Sequence, residues 1–344
     1  MARFPMTPDA AVQNVDHVRQ IVAKYFENEV ELEVENDGIT AEQLQEALAD
    51  LPKSAVDYAR IESMVAERVD AMVATRAPRT LRVESGNGKK KVTVDLGAVH
   101  KEFETLLHLV QAGEHVYLYG RPGGGKSHGA HLVATALSRK YGYISLNPQT
   151  PDSRLLGYLD ANGKYHSTVL YDLYKNGGVF CIDEMDNASA SLLTTLNALL
   201  ENGLGAFPCG MVQKHPDFIV VATGNTTGRG GNRQFPERRP FDAAFAERFV
   251  FLEWDYDETL ERTVALNLNP NAGPWVAWVQ RVRAFAVDAD PTMVVSPRAT
   301  FKIAKLLSLG KLRPDVIAEV TVFKGIGSDR TRRILNSCPM PLDA

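Results

Sequence analysis

The sequence has few cysteines and no long apolar segment. Cys181, Cys209 and Cys338 are the only cysteines among 344 residues, and none belongs to a C-x-x-C pair. An odd number of distant cysteines argues against a disulfide framework or a zinc site and is typical of reduced intracellular thiols. Because there is neither a run of about 18 apolar residues nor an apolar N-terminal signal region, we expect no membrane segment and predict a soluble, cytoplasmic protein.

The chain also lacks a strong overall charge. It has 38 lysines and arginines against 42 aspartates and glutamates, which gives a formal net charge of −4. This balance excludes a global field that would attract nucleic acid or a membrane, although it is compatible with a local basic patch. Hydrophobic residues make up 44% and charged residues 23% of the chain. These fractions are ordinary for a globular protein, and the length allows two or three domains.

The most specific pattern is the glycine-rich stretch at residues 120–127, which reads GRPGGGKS. It fits G-x-x-x-x-G-K-[ST], the pattern of a loop whose backbone N–H groups surround phosphates. A β-rich run over 115–119 precedes it and a helical pattern over 127–140 follows it, so the loop is predicted at a helix N-terminus, where the dipole favours phosphate. Lys126 is predicted to reach the β- and γ-phosphates, and Ser127 to bind Mg²⁺. The predicted nucleotide-binding residues are Gly120, Pro122, Gly123, Gly124, Gly125, Lys126, Ser127 and His128.

Two acidic residues follow a later apolar run, the third predicted strand of the sheet. Residues 179–182 predict a strand that ends in Asp183 and Glu184, at the edge of an open α/β sheet where ligands bind. Asp183 is predicted to hold Mg²⁺, directly or through water, and Glu184 to polarise the attacking water as a general base. The alternative is a solvated strand end.

Three further polar positions are candidates for the same chemistry. Asn225 ends another predicted strand, where a neutral amide can orient water. Arg248 precedes the last core strand and is predicted to act on a neighbouring subunit's nucleotide. Arg298 begins a C-terminal helix and is predicted to reach the γ-phosphate. The structural alternatives are a Gly-Asn turn, a surface salt bridge and a helix-terminal arginine. Other candidates for the trans-acting arginine are Arg229, Arg233, Arg238 and Arg239.

The chain divides into four predicted parts. Residues 1–79 form a mostly helical module with 15 acidic and 8 basic residues, for which a partner-contact role and a solubilising role both remain open. Residues 80–95 form a β-hairpin. Alternating strands and helices over 96–255 predict a parallel five-stranded sheet with helices on both faces. Residues 256–344 are predicted to form a helical lid and tail. A helix is expected over 96–111, with His100, Lys101 and Phe103 as weak candidates for a base pocket.

The order of these motifs over about 96–337 resembles the AAA+ ATPase superfamily. The details are most similar to its MoxR-like branch and to the small ATPase subunit of cobaltochelatase and relatives, many of them phage-encoded. The quoted motifs are residues 120–127, 182–186, 222–226, 242–249 and 296–299. The resemblance implies that they serve as Walker A, Walker B, sensor 1, arginine finger and sensor 2.

The resemblance also implies a function and an assembly. A Mg²⁺-dependent ATPase would form a ring, a hexamer in this family, and remodel a protein client. Residues 155–165 and 205–213 fit the two insertions of a helix-2-insert clade, and Tyr158 and Tyr165 would offer gripping surfaces to the client. No metal-adhesion D-x-S-x-S segment is present, so a von Willebrand type A partner would be a separate chain. A chelatase ATPase subunit and a nucleic-acid motor remain alternatives, whereas a non-catalytic nucleotide switch is disfavoured.

Overall fold

The computed structural model describes residues 80–85, 92–289 and 293–341. The predicted module at 1–79 and the glycine turn of the predicted hairpin lie outside the described residues. The first described element is the antiparallel hairpin of β1 (Thr80–Ser85) and β2 (Val92–Ala98), in which Val83 lies opposite Val94. None of the described helices is long and apolar enough to cross a membrane.

The first helix starts later than predicted. Ala98 pairs with Thr80, and Gly97 has a φ of 63°, a conformation that suits glycine and is incompatible with a right-handed helix. The helix α1 (Phe103–Gln111) therefore begins seven residues after the predicted start at 96. It buries Phe103, Leu106, Leu107 and Val110, the spacing of one helix face.

A five-stranded parallel sheet forms the centre of the molecule and confirms the predicted α/β fold. Its strand order is β11–β3–β10–β7–β4, and all neighbouring pairs are parallel. All of β10 and nearly all of β7 are buried, as expected for central strands covered on both faces. The strands after β2 are β3 (Val116–Tyr119), β4 (Tyr141–Ser145), β5 (Tyr158–Leu159), β6 (Tyr165–His166), β7 (Gly178–Asp183), β8 (Leu204–Phe207), β9 (Gly210–Gln213), β10 (Phe218–Gly224) and β11 (Val250–Glu253).

Helices cover both faces of the sheet and form the C-terminal part. They are α2 (Lys126–Ala136), α3 (Ser153–Leu156), α4 (Val169–Asn176), α5 (Ala190–Glu201), α6 (Ala243–Ala246), α7 (Glu258–Leu268), α8 (Gly273–Ala289), α9 (Pro297–Leu309), α10 (Pro314–Thr321) and α11 (Ser328–Ser337). The helix α2 is shorter than the predicted 127–140, because Ser138 takes a left-handed φ of 51°. The helical C-terminal part was predicted from its apolar spacing and is confirmed.

Two small hairpins stand outside the central sheet. The strands β5 and β6 pair next to α3, and β8 and β9 pair between α5 and β10. They occupy the two segments predicted as insertions, residues 155–165 and 205–213. Tyr158 is 53% exposed and Met211 is 65% exposed, so both hairpins present apolar surface to solvent.

A buried ion pair joins the C-terminal helices. Arg283 of α8 donates two hydrogen bonds to the Glu261 carboxylate of α7, at 2.8 and 2.6 Å, and a third to the carbonyl oxygen of Val295 at 2.8 Å. The hydroxyl of Thr300 on α9 also donates to Glu261. The pair lies beside an apolar core built around Trp275 and Trp278, so three helices are fixed by one hydrogen-bonded group of charges.

Candidate functional site

The glycine-rich loop joins the end of β3 to the start of α2. Gly123 and Gly125 have φ values of 85° and 86°, which L side chains rarely adopt. A Cβ atom at Gly120 would collide with the backbone of Trp254. The loop therefore needs glycine both for its own curvature and for its close approach to the end of β11.

Lys126 curls back beneath this loop. Its Nζ donates hydrogen bonds to the carbonyl oxygens of Gly120 and Arg121 at 2.8 and 2.9 Å, and to Asn225 Oδ1 at 3.2 Å. Burial lowers the pKa of Lys126 to about 8. The structure thus brings together Lys126 and Asn225, which were predicted from separate motifs.

Asp183 is the common hydrogen-bond acceptor of several hydroxyl groups. Its carboxylate accepts hydrogen bonds from Ser127 at 3.0 Å, from Tyr143 at 3.1 Å and from Thr223. These donors come from α2, β4 and β10, because the carboxyl ends of neighbouring parallel strands meet at one edge of the sheet. An oxygen-only set with one carboxylate fits Mg²⁺, which keeps several waters and is completed by substrate phosphates. Ser127 and Asp183 are the residues that would hold it.

Glu184 is held differently from its neighbour. Its φ is 54°, a left-handed conformation that is uncommon for a residue with a side chain and that concentrates at functional sites. The side chain is 43% exposed, with Arg238 Nη2 at 3.6 Å from Oε2 and Asn187 Nδ2 at 3.4 Å. The two neighbouring carboxylates therefore have different partners, which are hydroxyl groups at Asp183 and an arginine and an amide at Glu184.

Asp186 and Arg238 are two buried side chains that contact residues at this edge of the sheet. Asp186 is buried, and its Oδ2 accepts hydrogen bonds from the Asn225 backbone N–H and the Thr226 hydroxyl, both at 3.0 Å. Arg238 Nε lies 3.8 Å from the same oxygen, and the side chain is only 5% exposed. The prediction that Arg238 could act in trans is therefore wrong, because its guanidinium faces acidic residues of its own chain.

Residues 254–256 clamp the phosphate loop. Trp254 Nε1 donates to the Gly124 carbonyl oxygen at 3.1 Å, and the Tyr256 hydroxyl donates to the Pro122 carbonyl oxygen at 2.8 Å. Arg121 of the loop makes a two-pronged ion pair with Asp255, at 2.7 and 2.8 Å. The Tyr256 ring lies between two guanidinium groups, 4.2 Å from that of Arg121 and 4.6 Å from that of Arg283. The loop is thereby connected to the buried ion pair of the C-terminal helices.

The predicted base-pocket residues do not form an open pocket. Phe103 is fully buried in the core, and His100 is 4% exposed. The His100 ring stacks on Trp254 at 4.0 Å, and its Nε2 lies 2.7 Å from the Asp255 carbonyl oxygen. Burial lowers the pKa of His100. Lys101 is exposed, and its backbone N–H donates to Asp257. Phe103 and His100 therefore have packing roles, and the prediction that they line a base pocket is wrong.

The two principal arginine candidates lie at opposite edges of the sheet. Arg298 begins α9 beside the loop, with its Cδ 3.6 Å from the position that a Cβ of Gly123 would take. Arg248 precedes β11 and therefore lies at the amino edge of the parallel sheet, whereas the loop follows the carboxyl end of β3. It pairs with Glu201 at 2.9 Å and approaches Asn197 Oδ1 at 3.4 Å, both on α5. Four other candidate residues are exposed. They are the predicted nucleotide-binding residue His128 and the alternative trans-acting arginines Arg229, Arg233 and Arg239.

The match to known families centres on the same residues. The family model of the AAA domain, dynein-related subfamily, matches residues 115–240, which contain the loop, Asp183, Glu184 and Asn225. Residues 115–240 are therefore assigned to the AAA domain family. The chain is 28% identical to midasin of Dictyostelium discoideum over 166 residues, 44% of this chain and 3% of that protein. It is 25% identical to von Willebrand factor A domain-containing protein 8 of Mus musculus over 238 residues, 56% of this chain and 12% of that protein.

These AAA+ relatives are much longer than this chain, which spans only a small part of each. Among solved structures, the chain is similar to the Thermotoga maritima RuvB Holliday junction branch migration motor, with a TM-score of 0.40 and 13% sequence identity. The likeness covers 70% of this chain and 69% of that one. The family match over residues 115–240 supports a nucleotide-binding domain.

Several residues of this AAA+ site were not predicted from sequence. Tyr143 and Thr223 are ordinary strand residues, and only their position at strand ends could have indicated hydroxyl donors to Asp183. Asp186 lies within the quoted acidic motif, yet its burial could not be predicted. Asp255 and Tyr256 lie 134 residues from their partners in the loop, so no local pattern indicates the clamp.

Proposed function

We propose that the chain is a Mg²⁺-dependent ATPase that works in a ring and remodels a protein client. The observation that carries the proposal is the assembly of Lys126, Ser127, Asp183, Glu184 and Asn225 at one edge of the sheet. These residues come from two strand ends and a helix N-terminus. Their chemistry is that of phosphoryl transfer, in which positioning and charge stabilisation account for most of the catalysis.

Each residue has a distinct task in this proposal. Lys126 leaves the carbonyl oxygens of Gly120 and Arg121 and binds the β- and γ-phosphates. Ser127 and Asp183 would hold Mg²⁺, which would neutralise charge on the phosphate oxygens. Glu184 accepts a proton from the attacking water, and Asn225 orients that water without adding charge.

The test replaces the proposed base by its uncharged isostere. Glu184→Gln should bind ATP as the parent does while turnover falls by about 10²–10⁴-fold, the typical contribution of a general base. Lys126→Ala should instead weaken nucleotide binding. The matched control is Glu114→Gln, because Glu114 is exposed and precedes β3. Unchanged turnover in Glu184→Gln would remove Glu184 as the base.

The proposed ring follows from the position of Arg248. Its place at the amino edge of the sheet keeps it from its own phosphate loop, and its partner Glu201 is 48% exposed, so a docking neighbour can replace this contact. AAA+ proteins commonly oligomerise, and the resemblance suggests a hexamer. Arg248→Ala should keep nucleotide affinity and hydrolyse slowly. Mixing it with Lys126→Ala subunits should restore part of the activity, since each variant lacks a different half of a shared site. A fully active monomer at high dilution would contradict the ring.

The finer family placement is also part of this proposal. The two exposed hairpins at residues 155–165 and 205–213 support a MoxR-like or cobaltochelatase-like, phage-related branch with a protein client. The name of the mouse relative supports an association with a von Willebrand type A domain, which we propose is on a separate chain. The alternative, an ATPase subunit of a metal chelatase, uses the same site with another partner. Identifying the proteins that Glu184→Gln retains in the presence of ATP distinguishes the two.

A further inference from the structure

Arg238 is a buried arginine beside the proposed base. Its side chain is only 5% exposed, and its Nη2 lies 3.6 Å from Glu184 Oε2. Two other nitrogen atoms of Arg238, Nε and Nη1, are buried and make no hydrogen bond with any of the described residues. Burying a guanidinium costs free energy unless its N–H groups find acceptors, and a buried ion pair is weak evidence for stability. The position of this cation beside Glu184 therefore requires another explanation.

Asp186 and Phe235 fix the position of this guanidinium. Asp186 Oδ2 lies 3.8 Å from Arg238 Nε. The same oxygen accepts hydrogen bonds from the Asn225 backbone N–H and the Thr226 hydroxyl, both at 3.0 Å. The guanidinium carbon lies 5.4 Å from the centre of the Phe235 ring, within the range of a cation–π contact. The guanidinium is therefore held in place independently of the proposed base.

The Glu184 carboxylate is contacted through one of its two oxygen atoms. Within the described part of the chain, Arg238 Nη2 and Asn187 Nδ2 both approach Oε2, at 3.6 and 3.4 Å. The second oxygen, Oε1, is then available to accept a proton from water. The φ of Glu184 is 54°, a conformation that persists only where the surrounding structure constrains it. The two side chains that approach Oε2 contribute to that constraint.

We propose that Arg238 is a positioning residue that orients Glu184 toward the attacking water in ATP hydrolysis. The inference rests on the proposed function, in which Glu184 is the general base. Such a base is typically oriented by a third group, and a misplacement of about 1 Å can cost about 100-fold in rate. Catalytic contacts are often long before substrate binds and shorten in the reactive complex, which fits the separation of 3.6 Å.

The test removes the charge of Arg238 and measures turnover and binding separately. Arg238→Gln should lower kcat for ATP by about 10–100-fold. KM should stay within about threefold of the parent value, because the contacts of Lys126 with the phosphate loop do not involve Arg238. An unchanged kcat in Arg238→Gln would overturn the proposal.

Arg139→Gln is the matched control. Arg139 pairs with Asp217 at 2.9 Å, and like Arg238 it has a buried N–H group that makes no hydrogen bond with the described residues. It precedes β4 and therefore lies at the amino edge of the sheet, far from the carboxyl end of β7. Its kcat should match that of the parent. Equal losses of kcat in both variants would mean a general effect of removing a partly buried arginine and would refute the positioning role.

A double-mutant cycle shows whether Arg238 acts through Glu184. When Glu184→Gln has already removed the base, adding Arg238→Gln should change turnover by less than about threefold, because no carboxylate is left to orient. Single-turnover hydrolysis of radiolabelled ATP makes these slow rates measurable. A further loss of about 10–100-fold in the double variant would mean that the two residues act independently, and the proposal would fail.

A second substitution keeps the test valid if the loss of a buried cation prevents folding. Arg238→Lys retains a positive charge near Asp186, so its melting temperature should lie close to that of the parent. A lysine has one side-chain nitrogen, whereas Arg238 places Nη2 near Glu184 and Nε near Asp186. Arg238→Lys should therefore fold and still lose at least about fivefold in kcat. A folded Arg238→Lys protein with the kcat of the parent would contradict the positioning role.

The outcomes also separate this inference from the proposed function. If Glu184→Gln alone keeps full turnover, Glu184 is not the base, and both the proposed function and this inference fail. If Glu184→Gln loses turnover while Arg238→Gln keeps it, the role of Glu184 is supported and only the positioning role of Arg238 is refuted.

Discussion

The edge of the sheet around Asp183 and the cleft beside α9 both concentrate charged side chains, but these side chains are hydrogen-bonded to different extents. At the sheet edge, Lys126 has three oxygen acceptors and Asp183 has three hydroxyl donors, all from the same chain. In the cleft, which Pro122 of the phosphate loop also lines, the exposed basic residues are Arg298, Lys302, Lys324 and Arg330, and the acidic residue is Asp329. Charges held by several partners prepare a rigid place for a small ligand, whereas exposed charges remain hydrated until a ligand arrives.

The interior of the C-terminal helices contains a fully paired set of charges. The Arg283 and Glu261 side chains are 5% and 0% exposed and are fully engaged with each other. The exposed pair of Arg313 and Asp315, at 2.7 Å, has side chains that are 79% and 54% exposed. Burial, rather than the presence of an ion pair, should therefore decide how much each pair matters for folding.

The largest expected effect follows from that contrast. Arg283→Met should lower the free energy of unfolding by about 3–5 kcal/mol, because it leaves the buried Glu261 carboxylate without its cation. Arg313→Met removes an exposed pair and should cost under about 1 kcal/mol. Urea denaturation of both variants measures the difference. Similar losses would show that the interior pair has no special role.

A second prediction uses the pKa of Lys126, which burial lowers to about 8. Phosphates favour the ammonium form, so above pH 8 nucleotide binding must take up a proton. Nucleotide affinity should be highest below pH 8. Above pH 8 it should fall by up to about tenfold per pH unit, until the pH reaches the pKa of Lys126 in the nucleotide-bound protein. Nucleotide titrations between about pH 7 and 9.5 test this. Lys126→Ala should bind weakly and lack this dependence, and a flat profile in the parent would contradict the prediction.

A smaller effect is expected at the clamp. Tyr256→Phe removes the hydrogen bond to the Pro122 carbonyl oxygen but keeps the ring between Arg121 and Arg283. The loss of about 0.5–1.5 kcal/mol for one hydrogen bond should weaken nucleotide affinity two- to tenfold or so. Turnover at saturating ATP should not change. Tyr171→Phe, on α4, is the control, and a large fall in saturated turnover would mean that the clamp acts in the chemical step.

The parts predicted well from sequence depend on local patterns. The loop at 120–127 has a specific spacing, and the acids at 183 and 184 directly follow an apolar run, so chain order alone placed them at strand ends. The five strands were recognised from apolar runs and the C-terminal helices from their apolar spacing. These elements each bury a continuous face or run, and their sequences show it.

The errors arise where distant contacts decide the structure. The helix predicted from 96 fails because Ala98 pairs with Thr80 and Gly97 turns the chain. Arg238 lies in a segment without periodicity, and its burial depends on Asp186 and Glu184, more than 50 residues away. The clamp of Tyr256 on Pro122 likewise joins segments far apart in the chain. Local patterns contain no information on such pairings.

The two tyrosines of the β5–β6 hairpin were both predicted to grip a client, and the structure separates them. Tyr158 is 53% exposed and stacks on His166 at 4.9 Å. Tyr165 donates a hydrogen bond to the Leu156 carbonyl oxygen at 2.6 Å and packs edge-on against Tyr171. Tyr165 is the less accessible of the two because its hydroxyl and ring have partners within the chain, and Tyr158 is therefore the stronger candidate for client contact.

The smallest effect on basal activity is accordingly expected for Tyr158→Ala. An exposed side chain that makes one ring contact should change stability by no more than about 0.5 kcal/mol. Basal ATP turnover and assembly, measured by sedimentation, should match the parent, while stimulation of turnover by the client should be lost. Tyr165→Ala, the matched control, should lower the melting temperature because it breaks the hairpin's own contacts. If Tyr158→Ala instead loses assembly, the hairpin is structural. Client contact would then have to be sought on the β8–β9 hairpin, where Met211 is 65% exposed.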